Sequence, residues 1–189
     1  MPRLFVFCAC LMVAVLAPLS AAAEEAVDDG LITKADVPAD APDFAGYPAK
    51  PLYKGRVAAP DVKTERRSRL YRTVIRLGVK DGVNFAGHYV MVDWGCGTGC
   101  SSHAIVDART GRVFHPAELR YDDHSFVDAD LFEGDTLYGE DSPFAYRADS
   151  RLLVIVSGVG DKRRGIFYYE WRGERLRLIR YVPHRPQGK

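Results

Sequence analysis

Cys96 and Cys100 stand four positions apart in the stretch WGCGTGCSSH, residues 94–103, with His103 three positions further on. Four chemistries suit such a pattern. The two sulfurs can join as a disulfide. They can ligate a metal with His103, and His88 as a fourth ligand. They can form a redox-active pair. Alternatively, Ser101 or Ser102, His103 and Asp107 supply the residue types of a hydrolytic triad.

Spacing already discriminates among these. Zinc wants four ligands in a tetrahedron, and C-x3-C-x2-H fits the usual ligand spacing imperfectly. A redox pair is usually C-x-x-C, with one thiol at a helix N-terminus, and no strand-to-helix pattern surrounds this stretch. If 101–107 is one strand, His103 and Asp107 share a face but lie about 13 Å apart, and Ser101 lies about 7 Å from His103. A strand also sets His88 and Asp93 on opposite faces, because their separation is odd. His103 is therefore expected to be a half-buried strand histidine.

Compartment decides the chemistry of the thiols. The chain opens MPRLFVFCACLMVAVLAPLSAAAEE. Arg3 precedes the apolar run 4–17, which has signal-peptide length and is short for a membrane span. Small residues at 21–23 predict cleavage after Ala23. Cys8 and Cys10 leave with the leader, so the product keeps a single pair. The mature chain has 166 residues and, having lost Arg3, 25 basic against 25 acidic side chains. A balance near zero provides no global field for nucleic acid or an anionic membrane. In a periplasmic or secreted protein two lone cysteines default to a disulfide, and Gly95, Gly97 and Gly99 let the backbone fold tightly enough for the sulfurs to meet.

The elements around the loop follow from pattern. Residues 24–62 carry Pro38, Pro42, Pro48, Pro51 and Pro60. No helix runs through such a segment, so it is expected to lie as an extended strap anchored by Phe44, Tyr47 and Tyr53. Residues 63–189 read as a single β-rich domain. It begins with one helix, capped by Thr64, whose Leu70, Val74 and Leu77 stripe adjoins Tyr71 and Ile75. Gly78 would end this helix, and its arginines would form a solvated face. From Asn84 the period is two: Val90, Val92 and Trp94 share one face, Tyr89, Met91 and Asp93 the other. Hairpins are expected around 107–111, 148–150 and 172–174, where turn residues interrupt apolar alternation. The fold class is mostly β with one helix (α+β): an antiparallel meander sheet, or a small barrel or sandwich.

The acidic residues Asp122, Asp123, Asp128, Asp130, Glu133 and Asp135 offer oxygens to calcium. Phe132 occupies a position where an EF-hand loop starting at Asp128 needs Asp or Asn, so a solvated loop is expected. Carboxylate pairs for glycoside chemistry cannot be assigned from spacing. The sequence has no P-loop, GxSxG, HExxH or dinucleotide fingerprint. No cofactor is expected.

NFAGHYVMVDWGCGTGCSSHAIVDARTGRVF resembles a family of small exported bacterial proteins. Its shared pattern maps onto Asn84 to Tyr89, Trp94 to Gly97, Cys100, Ile105 to Asp107, and Thr110-Gly111. DSRLLVI at 149–155 and YYEW at 168–171 look similar too, so the likeness covers about half of the mature chain. The resemblance implies export and one shared fold, and carries over no catalytic residue. The functional expectation is a non-enzymatic binding module such as an inhibitor or immunity-like envelope factor. Its partner would be another envelope or secreted protein, and no stable membrane insertion would follow leader cleavage. The candidate surface is His88, Tyr89, Asp93, Trp94, Ser101 and His103. An enzyme or metal-binding protein using Cys96, Cys100 and His103 is one alternative; a structural envelope protein is another.

Overall fold

The computed structural model describes residues 31–120, 122–123, 144–159 and 163–184. The expected leader, and most of the acidic stretch weighed for calcium, lie outside them. The described residues form a mostly β structure with eight strands: β1 Tyr89–Gly97, β2 Cys100–Asp107, β3 Val113–Phe114, β4 Asp122–Asp123, β5 Phe144–Tyr146, β6 Leu152–Val159, β7 Arg163–Trp171 and β8 Leu176–Pro183. Every pairing is antiparallel, in the order β1-β2-β4-β6-β7-β8, with β3 beside β2 and β5 beside β6.

The sheet has two wings. One is β1-β2-β3 and the other is β5-β6-β7-β8. The two residues of β4 bridge them, pairing with Cys100 and Ser101 on one side and with Gly158 and Val159 on the other. β1 and β8 stand at opposite ends of the order, so the sheet is open rather than a closed barrel.

Alternation along the strands accounts for the layers. Tyr89, Met91 and Ile105 of the first wing meet Leu153, Ile155, Phe167, Tyr169 and Trp171 of the second, forming the shared core. The outer face of the second wing, with Leu152, Val154, Val156 and Ile166, is covered by Ile32 and Phe44 of the strap. The outer face of the first wing, with Val90, Val92 and Val106, is covered by Ile75, Val79 and Val62. Strands covered on both faces read as nearly continuous apolar runs, and VMV, LLVIV and IFYY are such runs.

The strap is held by its backbone as well as by Phe44, with Tyr47 and Tyr53 packed beside the core. The buried Ser150 hydroxyl lies 3.0 Å from the carbonyls of both Phe44 and Tyr47. Further along, Tyr53 N–H donates to Gly87, Ala58 to Ala108, and Asp61 to Gly111. These bonds satisfy backbone groups that an extended segment cannot pair within itself.

The single expected helix is two short ones, α1 Arg66–Leu70 and α2 Arg72–Gly78, broken at Tyr71. Glu65, not Thr64, occupies the N-cap position. The Thr64 hydroxyl instead bonds the Asp61 carboxylate at 2.5 Å. The buried stripe is Ser68, Ile75 and Val79, while Leu70 is 70% and Leu77 54% exposed. Helical spacing permits either stripe; the β-branched surface of Val90 and Val92 accepts the narrower one.

Gly78 sets how closely α2 approaches β1. A Cβ there would stand 2.6 Å from Val92 Cγ1 and 3.2 Å from Val92 Cβ, which no rotamer change relieves. Gly78→Ala gains about 1 kcal/mol of helix propensity but overpacks the core at a cost of about 1–3 kcal/mol. A net loss in urea unfolding is expected, and in a Val92→Ala background the same substitution should turn neutral or stabilising.

Candidate functional site

The most exposed part of the first wing is the tip of the β1–β2 hairpin. Asp93 pairs with His103, Trp94 with Ser102, Gly95 with Ser101 and Gly97 with Cys100, leaving Cys96 as a bulge. Gly99 has φ +64° and Gly97 φ +148°, conformations that side chains other than glycine adopt at a cost. Within this turn Cys96 and Cys100 come to disulfide distance, with Cα atoms 5.2 Å apart. Residues 95–98 are exposed and Cys100 is buried, so the cross-link ties a solvent-facing loop to the sheet.

Two side-chain clusters flank this tip, one on each face. On the outer face the Trp94 and Tyr71 rings lie 4.5 Å apart, and Arg67 sits 5.1 Å from the Tyr71 ring and 5.8 Å from that of Trp94. This is cation–π geometry, and it accompanies the helix break at Tyr71. Arg67 donates to the Arg120 carbonyl at 3.0 Å, and the Ser102 hydroxyl donates to the same carbonyl at 2.6 Å. Deeper, Ser68 Oγ and His115 Nε2 are 2.9 Å apart, with a Glu65 carboxylate oxygen 3.8 Å from that nitrogen. Burial, reinforced by Arg67 and Arg120, pushes the His115 pKa down to about 4.

On the inner face the His103 ring packs 3.9 Å from that of Phe144 and is 4% exposed. Asp93, its cross-strand partner, is exposed. Burial raises the Tyr146 pKa, and the Asp93 charge raises it further; both residues line one cleft.

The expected site residues therefore separate. Trp94 and Ser101 are half-buried, and Asp93 is exposed, all near the tip. Tyr89 and His103 are buried in the core and present nothing to a partner. His88 is half-buried and stacks on Tyr89 at 4.1 Å. It is six residues from Trp94, roughly 20 Å along an extended strand. Burial lowers the His88 pKa, Arg109 lowers it further, and Asp107 opposes both. Cys100 and His103 are an odd number apart on β2, so they face opposite ways. The set Cys96, Cys100 and His103 does not converge on one point. Ser101, His103 and Asp107 lie along a single strand, as the spacing argument required of a failed triad.

The Asp93–His103 pair and the Ser68–His115 contact had no place among the expected sites. The first was within reach: in a hairpin turning at Thr98, residues whose numbers sum to 196 face one another. The second joins residues 47 apart and had no local signal. Comparison with protein families, curated proteins and solved structures gives no match to this chain.

Removing the cross-link with Cys96→Ser and Cys100→Ser should cost about 2 kcal/mol, the chain-entropy value for so short a loop, and leave the far-UV circular dichroism native. His115 gives a pH dependence. Its pKa is lower folded than unfolded, so the unfolded chain takes up the proton first. The stability involved is complete above about pH 6.5 and is lost as pH falls toward 4. Replacing it by Gln should flatten denaturant midpoints across that window.

Proposed function

We propose that this chain is an exported, non-enzymatic binding module, periplasmic or secreted, that recognises another envelope or secreted protein through the tip of its β1–β2 hairpin. The observation carrying this reading is the disulfide-distance pair closing an exposed loop on a buried sheet. A loop already held in one shape loses little conformational entropy on binding. Trp94, packed against Tyr71 and near Arg67, adds an ordered aromatic of the kind that anchors interfaces. The leader-like first 23 residues and the likeness to a family of small exported bacterial proteins support export.

An enzyme or metal site using Cys96, Cys100 and His103 draws less support, because the imidazole lies in the core on the far side of β2. A purely structural envelope role leaves the ordered aromatic and the cross-linked tip without a use.

The test is site-specific photocrosslinking in the cell, from Thr98 at the tip and from Arg109 at the opposite end of the hairpin. A discrete protein adduct is expected from Thr98, weakened by the double cysteine-to-serine variant, and none from Arg109. The purified chain should begin at Glu24. No adduct from Thr98, equal adducts from both positions, or a product retaining the leader would overturn the proposal.

A further inference from the structure

The helical residues that stay out of the core form a face of their own. Along α1 and α2 Arg66, Arg69, Leu70, Thr73, Arg76 and Leu77 are exposed, and Lys80 extends the series just beyond α2. Separations of three and four recur through it, so these side chains share one face. The period runs on through the break, because Tyr71 N–H donates to the Arg67 carbonyl and Ile75 N–H to that of Tyr71. Leu70 and Leu77 are the two most exposed large apolar side chains described, and they stand two turns apart. A single exposed leucine needs no explanation. Two on one face, each set among cations, form a pattern.

The charges of that face are uncompensated. No described carboxylate forms an ion pair with Arg66, Arg69, Arg76 or Lys80. Arg69 donates instead to the carbonyls of Lys63 and Thr64, at 2.7 and 3.2 Å, which fixes its side chain and leaves its charge in place. The neighbouring acids lie to either side. Glu65 reaches to 3.8 Å from His115 Nε2, and Asp81 lines the cleft between α2 and β1, with Leu77 at its rim. The mature chain is balanced in charge as a whole, so this is a local concentration of positive charge.

Leucines among arginine and lysine suit the boundary between apolar and anionic matter. Leucine enters the acyl region, guanidinium groups take phosphate oxygens in pairs, and long basic side chains span from one to the other. A second copy of this chain would set like charges against each other. A nucleic acid would leave both leucines in water, and no aromatic stands among these exposed positions for a base to stack on. We propose that the exposed face of α1 and α2 docks reversibly on an anionic phospholipid surface, with Leu70 and Leu77 in the headgroup region and Arg66, Arg69, Arg76 and Lys80 on lipid phosphates. The docking is peripheral; no described helix is long and apolar enough to cross a membrane. It goes beyond the binding-module reading and does not rest on it, since no residue of the hairpin tip takes part.

The test is flotation of the oxidised mature chain with vesicles of phosphatidylglycerol and phosphatidylcholine, beside vesicles of phosphatidylcholine alone. Binding to the anionic vesicles only is expected, falling as salt rises. Arg69→Glu with Arg76→Glu should lower the partition coefficient about tenfold or more. Leu70→Ser with Leu77→Ser leaves every charge in place and should lower it about tenfold. Both double variants should keep the native circular dichroism and the Thr98 adduct. Arg175→Glu with Arg177→Glu, exposed on β8 and the turn before it, should leave the coefficient unchanged. No binding to anionic vesicles, equal binding to neutral ones, an unchanged coefficient in either helix variant, or an equal loss in the Arg175 and Arg177 variant would overturn the proposal. Displacement by soluble glycerophosphate at the same phosphate concentration would do so too, by assigning the cations to a free phosphate ester. So would self-association of the chain that Leu70→Ser with Leu77→Ser abolishes, by assigning the face to a second copy.

Discussion

The pairing of β1 with β2 about the turn at Thr98 governs the first wing. Once Cys96 and Cys100 meet there, Gly95 faces Ser101 and Asp93 faces His103, and every side chain below is assigned to a layer. A slip of one residue would turn Val90 and Val92 toward the shared core and set Met91 and Tyr89 against the helix-covered face. The cross-link adds little free energy for so short a loop, but it acts where register is decided. The glycines serve that purpose, since two of the three in the loop hold positive φ values.

From that register the rest of the wing follows. Val90 and Val92 form the floor on which α2 lies, and Gly78 lets the helix come down onto Val92. Trp94, one step beyond the valines on the same face, emerges past the helix and meets Tyr71 and Arg67. The break between α1 and α2 is where the chain turns toward that aromatic contact. On the inner face, Met91 and Ile105 join the large aromatics of β7, so the two wings share a core although only β4 links their strands.

β1 was legible by its two faces, and β6 and β7 as apolar runs between turns, because each of these strands is covered on both faces. The turns at Gly111 and Gly173 were legible for a different reason: both need positive φ, and both are glycine. The helix was legible only as a helix. Hydropathy favours Leu70 and Leu77, which are exposed, over Ser68, which is buried, while Val74 packs only partly against the core. The choice is made by tertiary fit against Val92, which no local window contains. Likewise His103 and Tyr89 sit within the most suggestive stretch of the chain and are buried, since a strand points every second residue inward whatever chemistry it carries. What remains at the surface of that stretch is Asp93, a cross-linked loop, and the half-buried Trp94 and Ser101.

The central claim is the register, and a nuclear Overhauser measurement on the oxidised mature chain tests it most directly. Asp93 and His103 form a pair whose N–H and C=O groups point away from one another, which brings their Cα atoms to about 4.5 Å. A strong cross-peak between the Hα protons of Asp93 and His103 is the predicted result. A strong Hα cross-peak from His103 to Val92 or Trp94 in its place would show a slipped hairpin and contradict the account.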